Sequence, residues 1–245
     1  MTQIPKIVHY CWFGNNPKPT SVLKYIENWK SKLPEYEIIE WNESNFDIEC
    51  CQYVQEAYKE KKFAFVSDYA RLYALYHHGG IYLDTDVEVV KDLTPLLGKA
   101  DCIFGFEEKN AIATSTILGR AGNSFIKKFM ESYHSRTFLK VSGELDTTTN
   151  VKHLTNLLKH EGLQQNGIEQ HFNFENSRIL ILPQQNLSPY DYINLIDNST
   201  DETYTIHHYG NSWGEGESNF NKKLKLLLIK VFGPNTIKRI RGILG

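Results

Sequence analysis

The sequence predicts an α/β fold, and three observations carry that prediction. Short apolar runs alternate with segments of helical period, so strands and helices take turns along the chain. Glycine and proline breaks fall at the joints between those segments. The 245 residues, 41% hydrophobic and 23% charged, suit one large globular unit with a sheet at its centre. No linker or internal repeat divides the body.

Lys6 to Gly14 opens as an apolar, aromatic run closed by Gly14-Asn15-Asn16-Pro17, and reads as a buried strand entering a turn. Residues 21–33 have helical spacing, with Val22, Tyr25, Ile26 and Trp29 on one side, and Pro34 stops them. Residues 36–41 are a second strand. Residues 63–78 form a helix, with Gly79-Gly80 just past its end, where a left-handed residue is wanted. Residues 81–83 follow as a strand and 87–90 continue extended. Strand, helix and strand again predict a largely parallel sheet. Further on, 101–106 is a strand, 123–133 a helix, 135–150 a polar loop and 151–160 a helix. Residues 179–182 form a strand ended by Pro183, and 205–209 form the last strand.

Charge and cysteine usage narrow the function classes. The formal net charge of −2 hides an asymmetry, because residues 221–245 hold seven Lys or Arg and no Asp or Glu. An acidic body with a basic tail argues against general nucleic-acid binding, which needs a distributed basic footprint. Cys11, Cys50, Cys51 and Cys102 show no CxxC spacing and read as thiols of a reducing compartment. There is no run of 18 apolar residues and no signal-peptide pattern at the start, so a cytoplasmic protein is expected.

The chemistry concentrates between Ser67 and Asp86. Asp84 and Asp86 stand two apart at the end of an apolar strand, and in extended backbone they project from one face about 7 Å apart. Two carboxylates there repel unless a cation sits between them. A hard divalent cation bridging to a phosphate-bearing substrate is the economical answer, and a solvated turn is the bland alternative. Asp68 and Arg71 share a helix face at i, i+3, either as part of that site or as a simple ion pair. Tyr69, Tyr73 and Tyr76 form a helical stripe suited to core packing.

Taken together, Ile4-Pro5-Lys6-Ile7-Val8-His9-Tyr10-Cys11-Trp12-Phe13-Gly14, the Ser67-Asp68-Tyr69-Ala70-Arg71 helix, Gly79-Gly80 and Asp84-Thr85-Asp86 resemble glycosyltransferase family 32. These are DXD-containing, sugar-nucleotide-dependent transferases, related more remotely to the glucosylating domain of the large clostridial toxins. The resemblance implies a GT-A fold, a Rossmann-like nucleotide-binding sheet flanked by helices in a single domain. It implies a catalytic domain over 1–220, and the charge pattern makes 221–245 a basic amphipathic tail after it. By the same resemblance Trp12 would stack on the base, with Phe13, Gly14 and Tyr82 beside the nucleotide sugar. Asp68 and Arg71 would contact the sugar or phosphates, Asp84 the ribose and a water-linked metal, and Asp86 would bind Mn²⁺ (or Mg²⁺) directly. Asp68, Arg71 and Asp84 are thus the expected catalytic set. The chain departs from the family at Thr148-Thr149-Asn150-Val151, where members often carry a Thr-Gly-Pro step.

In the block His207-His208-Tyr209-Gly210-Asn211-Ser212-Trp213, the two histidines of a strand face opposite sides. His208 is the one expected at the metal, a structural role for the histidine pair being the alternative. Ser212 is expected to add a ligand or hydrogen bond at the nucleotide sugar, and Trp213 to cover that sugar or to plug the core. The tail interleaves basic and apolar residues, which suits an interfacial helix on anionic lipid or a helix packed on the domain.

The resulting expectation is a retaining, Mn²⁺-dependent hexosyltransferase. The donor is a UDP-hexose, UDP-galactose ahead of the others, and the acceptor a lipid-linked oligosaccharide or other glycan in bacterial surface polysaccharide assembly. The enzyme would sit peripherally at the inner face of the plasma membrane. Rival readings are a nucleotide-sugar or glycan-binding protein without turnover, and a metal-dependent phosphohydrolase.

Overall fold

In the computed structural model, residues 3–108, 110–191 and 196–210 are described. An eight-stranded mixed sheet forms the centre. Its strands are β1 (Ile7–Cys11), β2 (Glu37–Trp41), β3 (Gly80–Leu83), β5 (Cys102–Glu108), β6 (Ala111–Ile112), β7 (Thr116–Gly119), β8 (Gln170–Phe174) and β9 (Ser177–Leu182). Their order is β2-β1-β3-β7-β5-β9-β8, with β6 attached to β5. Outside the sheet, β4 (Val87–Val89) pairs with β12 (Thr205–His207), and β10 (Tyr190–Asp191) pairs with β11 (Ile196–Asp197). The helices are α1 (Thr20–Lys32), α2 (Gln52–Lys59), α3 (Phe63–His78), α4 (Ser124–Glu131), α5 (Asn150–His160) and the short α6 (Gln184–Leu187).

The α/β expectation holds, but the sheet is not largely parallel. β1 runs parallel to β2 and β3, and β5 parallel to β9, while β7 and β8 pair antiparallel with their neighbours. β7 is the inserted strand that reverses direction between β3 and β5. Helices cover both faces. α3 and α4 pack with Phe104, Phe125 and Phe129 in one apolar layer, and α1 packs Val22, Ile26 and Trp29 into the other.

Two devices hold the motif-bearing strands in place. His9 on β1 donates from Nε2 to the Gly79 carbonyl at 2.7 Å and accepts Trp41 Nε1 on Nδ1 at 3.1 Å. That fixes its neutral tautomer and ties β1 to β2 and to the end of α3. Burial pushes its pKa down to about 4. The Gly79-Gly80 pair then turns the chain from α3 into β3. Gly79 has φ +67 with ψ −175, a positive-φ conformation outside the αL region that the sequence pattern predicts. A Cβ there would stand 2.6 Å from the Ala121 amide, and one on Gly80 2.5 Å from the Ile7 carbonyl. Only glycine fits either position.

Candidate active site

The sequence motifs converge on one cavity of about 710 Å³ at the carboxyl ends of β1 and β3. This is where open α/β sheets bind ligands. β3 ends at Leu83, and Asp84-Thr85-Asp86 lies in a turn rather than in extended backbone. The Asp84 amide donates to Ser115 O at 2.8 Å and the Val87 amide returns to Asp84 O at 3.0 Å. Beyond the turn, Trp29 Nε1 holds Val87 O at 2.8 Å, anchoring β4 on α1. The shared-face geometry expected of a strand is therefore replaced by a tight turn, from which both carboxylates still reach one site.

The third member of the group comes from the far end of the described chain. Antiparallel pairing of β12 with β4 sets His207 opposite Val87. Asp84, Asp86 and His207 then offer ligand atoms that all lie within 4.8 Å of one another. His207 Nε2 stands 3.3 Å from Asp86 Oδ1, and the Gly210 amide donates to Asp86 Oδ2 at 2.6 Å. Burial disfavours charge on both partners. It is outweighed in each case by the other, so the Asp86 pKa is held low and that of His207 high.

This corrects the expectation for His208. Its imidazole turns away, bonding Glu88 Oε2 at 2.8 Å and stacking on Tyr25. Only its backbone amide reaches the site, on Asp86 O at 3.0 Å.

Arg71 forms the floor. Its guanidinium lies 4.6 Å from the Tyr82 ring centroid, donates to Thr114 O at 2.6 Å and Asp68 Oδ1 at 2.8 Å, and stands 3.4 Å from Asp84 Oδ1. The Tyr82 hydroxyl donates to the same Asp84 oxygen at 2.9 Å. Burial works against the Arg71 charge, yet Asp84, Tyr82 and Asp68 raise its pKa. Asp68 is buried beneath Arg71 and does not line the cavity. Burial pushes its carboxyl up to about 7 despite the Arg71 charge.

Trp12 and Phe13 line the opposite wall, Trp12 half-buried with Nε1 on Asn16 O at 2.7 Å, Phe13 packed on Phe46. Gly14 serves the turn instead of the cavity surface. It has φ +95, its amide donates to Glu43 Oε1, and a Cβ would stand 2.4 Å from the Phe63 ring. Ser212, Trp213 and the tail over 221–245 lie outside the described residues. Lys61, Lys62, Phe138, Leu145, Thr147 and Thr149 also line the cavity, and of these only Thr149 falls in a segment that the sequence singles out. The departure at Thr148-Thr149 was the one signal that this wall is particular to the chain.

A donor set of two carboxylates and one imidazole suits a hard or borderline divalent cation. The buried His207 Nδ1 lacks a hydrogen-bond partner among the described residues, and its Nε2 faces the carboxylates, as a ligand nitrogen would. The residues present therefore fit Mn²⁺ or Mg²⁺.

Comparison with known proteins agrees with the motif reading. Residues 19–103 match the family described as glycosyltransferase sugar-binding region containing DXD motif. Inositol phosphoceramide mannosyltransferase 1 of Schizosaccharomyces pombe is 28% identical over 114 residues, 42% of this chain and 34% of that protein. An uncharacterised glycosyltransferase, L373, of Acanthamoeba polyphaga mimivirus is 32% identical over 129 residues, 49% of this chain and 50% of that protein. The chain thus spans between a third and a half of the length of these relatives. The PaToxG glycosyltransferase structure superposes with a TM-score of 0.49 at 20% identity, covering 65% of this chain and 70% of the other. At that score the superposition carries no weight, and the assignment rests on the motif region.

Proposed function

We propose, on the premise that residues 19–103 are a DXD-type glycosyltransferase sugar-binding region, that the chain transfers a hexosyl group from a nucleotide sugar to a glycan acceptor. The observation that carries this reading is the convergence of Asp84, Asp86 and His207 beside the buried Arg71 in one cavity. The donor proposed is a UDP-hexose, with UDP-galactose first, and the anomeric configuration is retained. Both relatives named above are glycosyltransferases by name, one of them a mannosyltransferase, which supports hexosyl transfer without choosing the hexose.

The chain's own groups account for the chemistry. Trp12 offers a flat apolar face for the base. Arg71 brings a fixed positive charge toward the diphosphate as negative charge develops on it, and its buried setting strengthens that effect. Tyr82 and Arg71 both hold Asp84 Oδ1, so the carboxylate is oriented before any ligand arrives. Asp84, Asp86 and His207 would hold Mn²⁺ or Mg²⁺, which when bound supplies Lewis-acid charge to the leaving diphosphate. With no side chain assigned as nucleophile, the acceptor hydroxyl attacks from the front face and its proton passes to the departing phosphate oxygen. Among the described residues no second metal-ligating cluster accompanies the triad, which weighs against a two-metal phosphohydrolase.

The proposal extends to a lipid-linked acceptor in surface-polysaccharide assembly and to peripheral membrane binding through residues 221–245. Among the described residues no helix is long and apolar enough to cross a membrane. A panel of nucleotide sugars, scored by thermal shift and by Mn²⁺-dependent hydrolysis, tests the donor. Selective binding of a GDP-sugar would overturn the UDP assignment. Deleting 221–245 should release the protein from anionic vesicles while donor hydrolysis continues, and unchanged vesicle binding would refute the anchor.

A further inference from the structure

The segment between α4 and α5 supplies one wall of the cavity and has no part in the donor chemistry. Leu145 is bridged antiparallel to Leu139, and from it the chain runs without a turn to Thr149, extended at φ −66, ψ 150. Along this run every second residue lines the cavity: Leu145, Thr147 and Thr149 do, Asp146 and Thr148 do not. That is the alternation of a strand, one face in and one face out. The inward face carries one apolar side chain and two hydroxyls, and nothing ionisable. Thr149 Oγ1 accepts the Lys152 amide at 3.2 Å as the cap of α5, which leaves its own proton to donate into the cavity.

The charge on the outward face is held from behind. Asp146 Oδ2 accepts Arg136 Nη2 at 2.8 Å, Oδ1 accepts the Thr148 amide at 3.1 Å, and the Asp146 amide donates to Phe138 O at 2.7 Å. The two side chains are only 15% and 16% exposed. The Arg136 guanidinium lies 4.7 Å from the Tyr53 ring centroid and 4.8 Å from that of Tyr133. Burial works against the Asp146 charge, but hydrogen bonds from Arg136 and Thr148 hold its pKa low. Arg136 thus sets the register of the wall against α2. A slip of one residue would put the Asp146 carboxylate into the cavity and Thr147 behind it.

This wall stands apart from the one assigned to the base. Phe63 and Phe65 are two residues apart on α3, about 200° around the helix. A Cβ on Gly14 would stand 2.4 Å from the Phe63 ring, whereas Phe65 packs on Phe138 with 4.8 Å between ring centroids. Trp12-Phe13-Gly14 and residues 138–149 therefore flank the start of α3 from two sides. Arg71 is buried at the floor, while Thr147 and Thr149 are exposed at the rim.

We propose that Leu145, Thr147 and Thr149 form the subsite for the acceptor sugar, that this sugar is uncharged, and that Arg136 is the positioning residue that holds the subsite in register. This rests on the transferase reading and deepens it. The donor's base and diphosphate are matched by Trp12 and by Arg71 with the triad. The sugar whose hydroxyl attacks is the group left to be bound at the rim. Its C–H face suits Leu145 and its hydroxyls suit the two threonines. A carboxylate or phosphate would meet no cation on this wall.

The test follows transfer and donor hydrolysis together in the full chain, with Mn²⁺ and the nucleotide sugar that the panel selects. The acceptor probes are octyl glucoside and octyl galactoside, each beside its carboxylate counterpart, octyl glucuronide and octyl galacturonide. A neutral probe should be used with a kcat/KM about tenfold or more above that of its counterpart. Arg136→Met should cut the ratio of transfer to hydrolysis about tenfold, through the acceptor KM, and Arg136→Lys, which keeps the ion pair, should restore part of it. Thr147→Val keeps the shape, removes an exposed hydroxyl, and serves where Arg136→Met fails to fold. It should lower the same ratio, and Thr147→Ser should keep the parent value. Transfer and hydrolysis falling equally would give the wall to the donor's hexose and overturn the proposal. So would an unchanged ratio in Thr147→Val, a preference for a carboxylate probe, or no transfer to a neutral one. Absence of Mn²⁺-dependent donor hydrolysis in the parent chain would instead remove the transferase reading, and this subsite with it.

Discussion

Asp68 and Asp101 are both buried carboxylates facing arginine, and the two pairs are finished to different degrees. Asp101, beside the start of β5, accepts the Arg178 amide at 2.9 Å and Nε at 3.2 Å on Oδ2, and Nη2 at 3.4 Å on Oδ1. Burial raises its pKa, but the Arg178 hydrogen bonds outweigh that and hold it low. Asp68 meets Arg71 through Oδ1 alone. Its Oδ2 and the nearby Asn150 Nδ2 both lack a well-formed partner among the described residues, and its pKa is pushed up. A pair with its hydrogen bonds complete ties β5 to β9. A pair left incomplete beneath a cavity leaves a buried carboxylate oxygen without a hydrogen bond. The difference separates a tie between two strands from a pair that underlies the wall of the cavity.

The largest effect expected from breaking the functional side is on turnover. Asp86→Ala should lower transfer by at least about a thousandfold, since the diphosphate loses its cation, with the circular dichroism spectrum unchanged. Wild-type rates in a folded variant would remove the site. Next comes Arg71→Ala, which strands Asp68 and should cost about 3–5 kcal/mol in denaturant unfolding. A cost below 1 kcal/mol would show that the buried pair is not coupled as described.

Acid should weaken the fold through His9. Its folded pKa of about 4 lies below the unfolded value of 6.5, so the unfolded chain takes the proton first as pH falls. The stability is complete above pH 6.5 and is lost as pH drops toward 4, by about 3 kcal/mol. His153, also held down to about 4 by burial and by Arg136, adds in the same direction. Unfolding free energies at pH 7.5 and 4.5 measure the slope, which His9→Gln should flatten in part; an unaltered slope would exclude His9. The smallest effect belongs to the half-exposed side of the comparison. Arg178→Ala should cost about 1 kcal/mol or less, because solvent screens its guanidinium and Arg120 remains 4.0 Å from Asp101. A loss as large as that of Arg71→Ala would erase the distinction.

How much of this was legible in the sequence depended on whether the cause was local. The helix expected over 63–78 is α3 (Phe63–His78), because a 3.6-residue apolar pattern ends at a glycine pair. Arg71 and Asp84 could be read for the same reason, one on that helix and one at the end of the next strand. The sheet's direction could not, since β7 and β8 are short runs whose antiparallel pairing is fixed by residues far away in sequence. The choice of His208 over His207 failed similarly. Alternation says that the two face opposite ways, but only the pairing of β12 with β4 decides which one meets Asp86. Lys61 and Lys62 belong to no motif, and only the cavity shows them together with the triad.

The central claim is that Asp84, Asp86 and His207 form the cation-dependent diphosphate site of a glycosyltransferase. Calorimetric titration of UDP into the full chain tests it most directly, run with Mn²⁺, with chelator, and with the Asp86→Asn variant. The account predicts saturable binding with Mn²⁺, weakened at least tenfold by either chelator or substitution. UDP binding of equal affinity under all three conditions would contradict it.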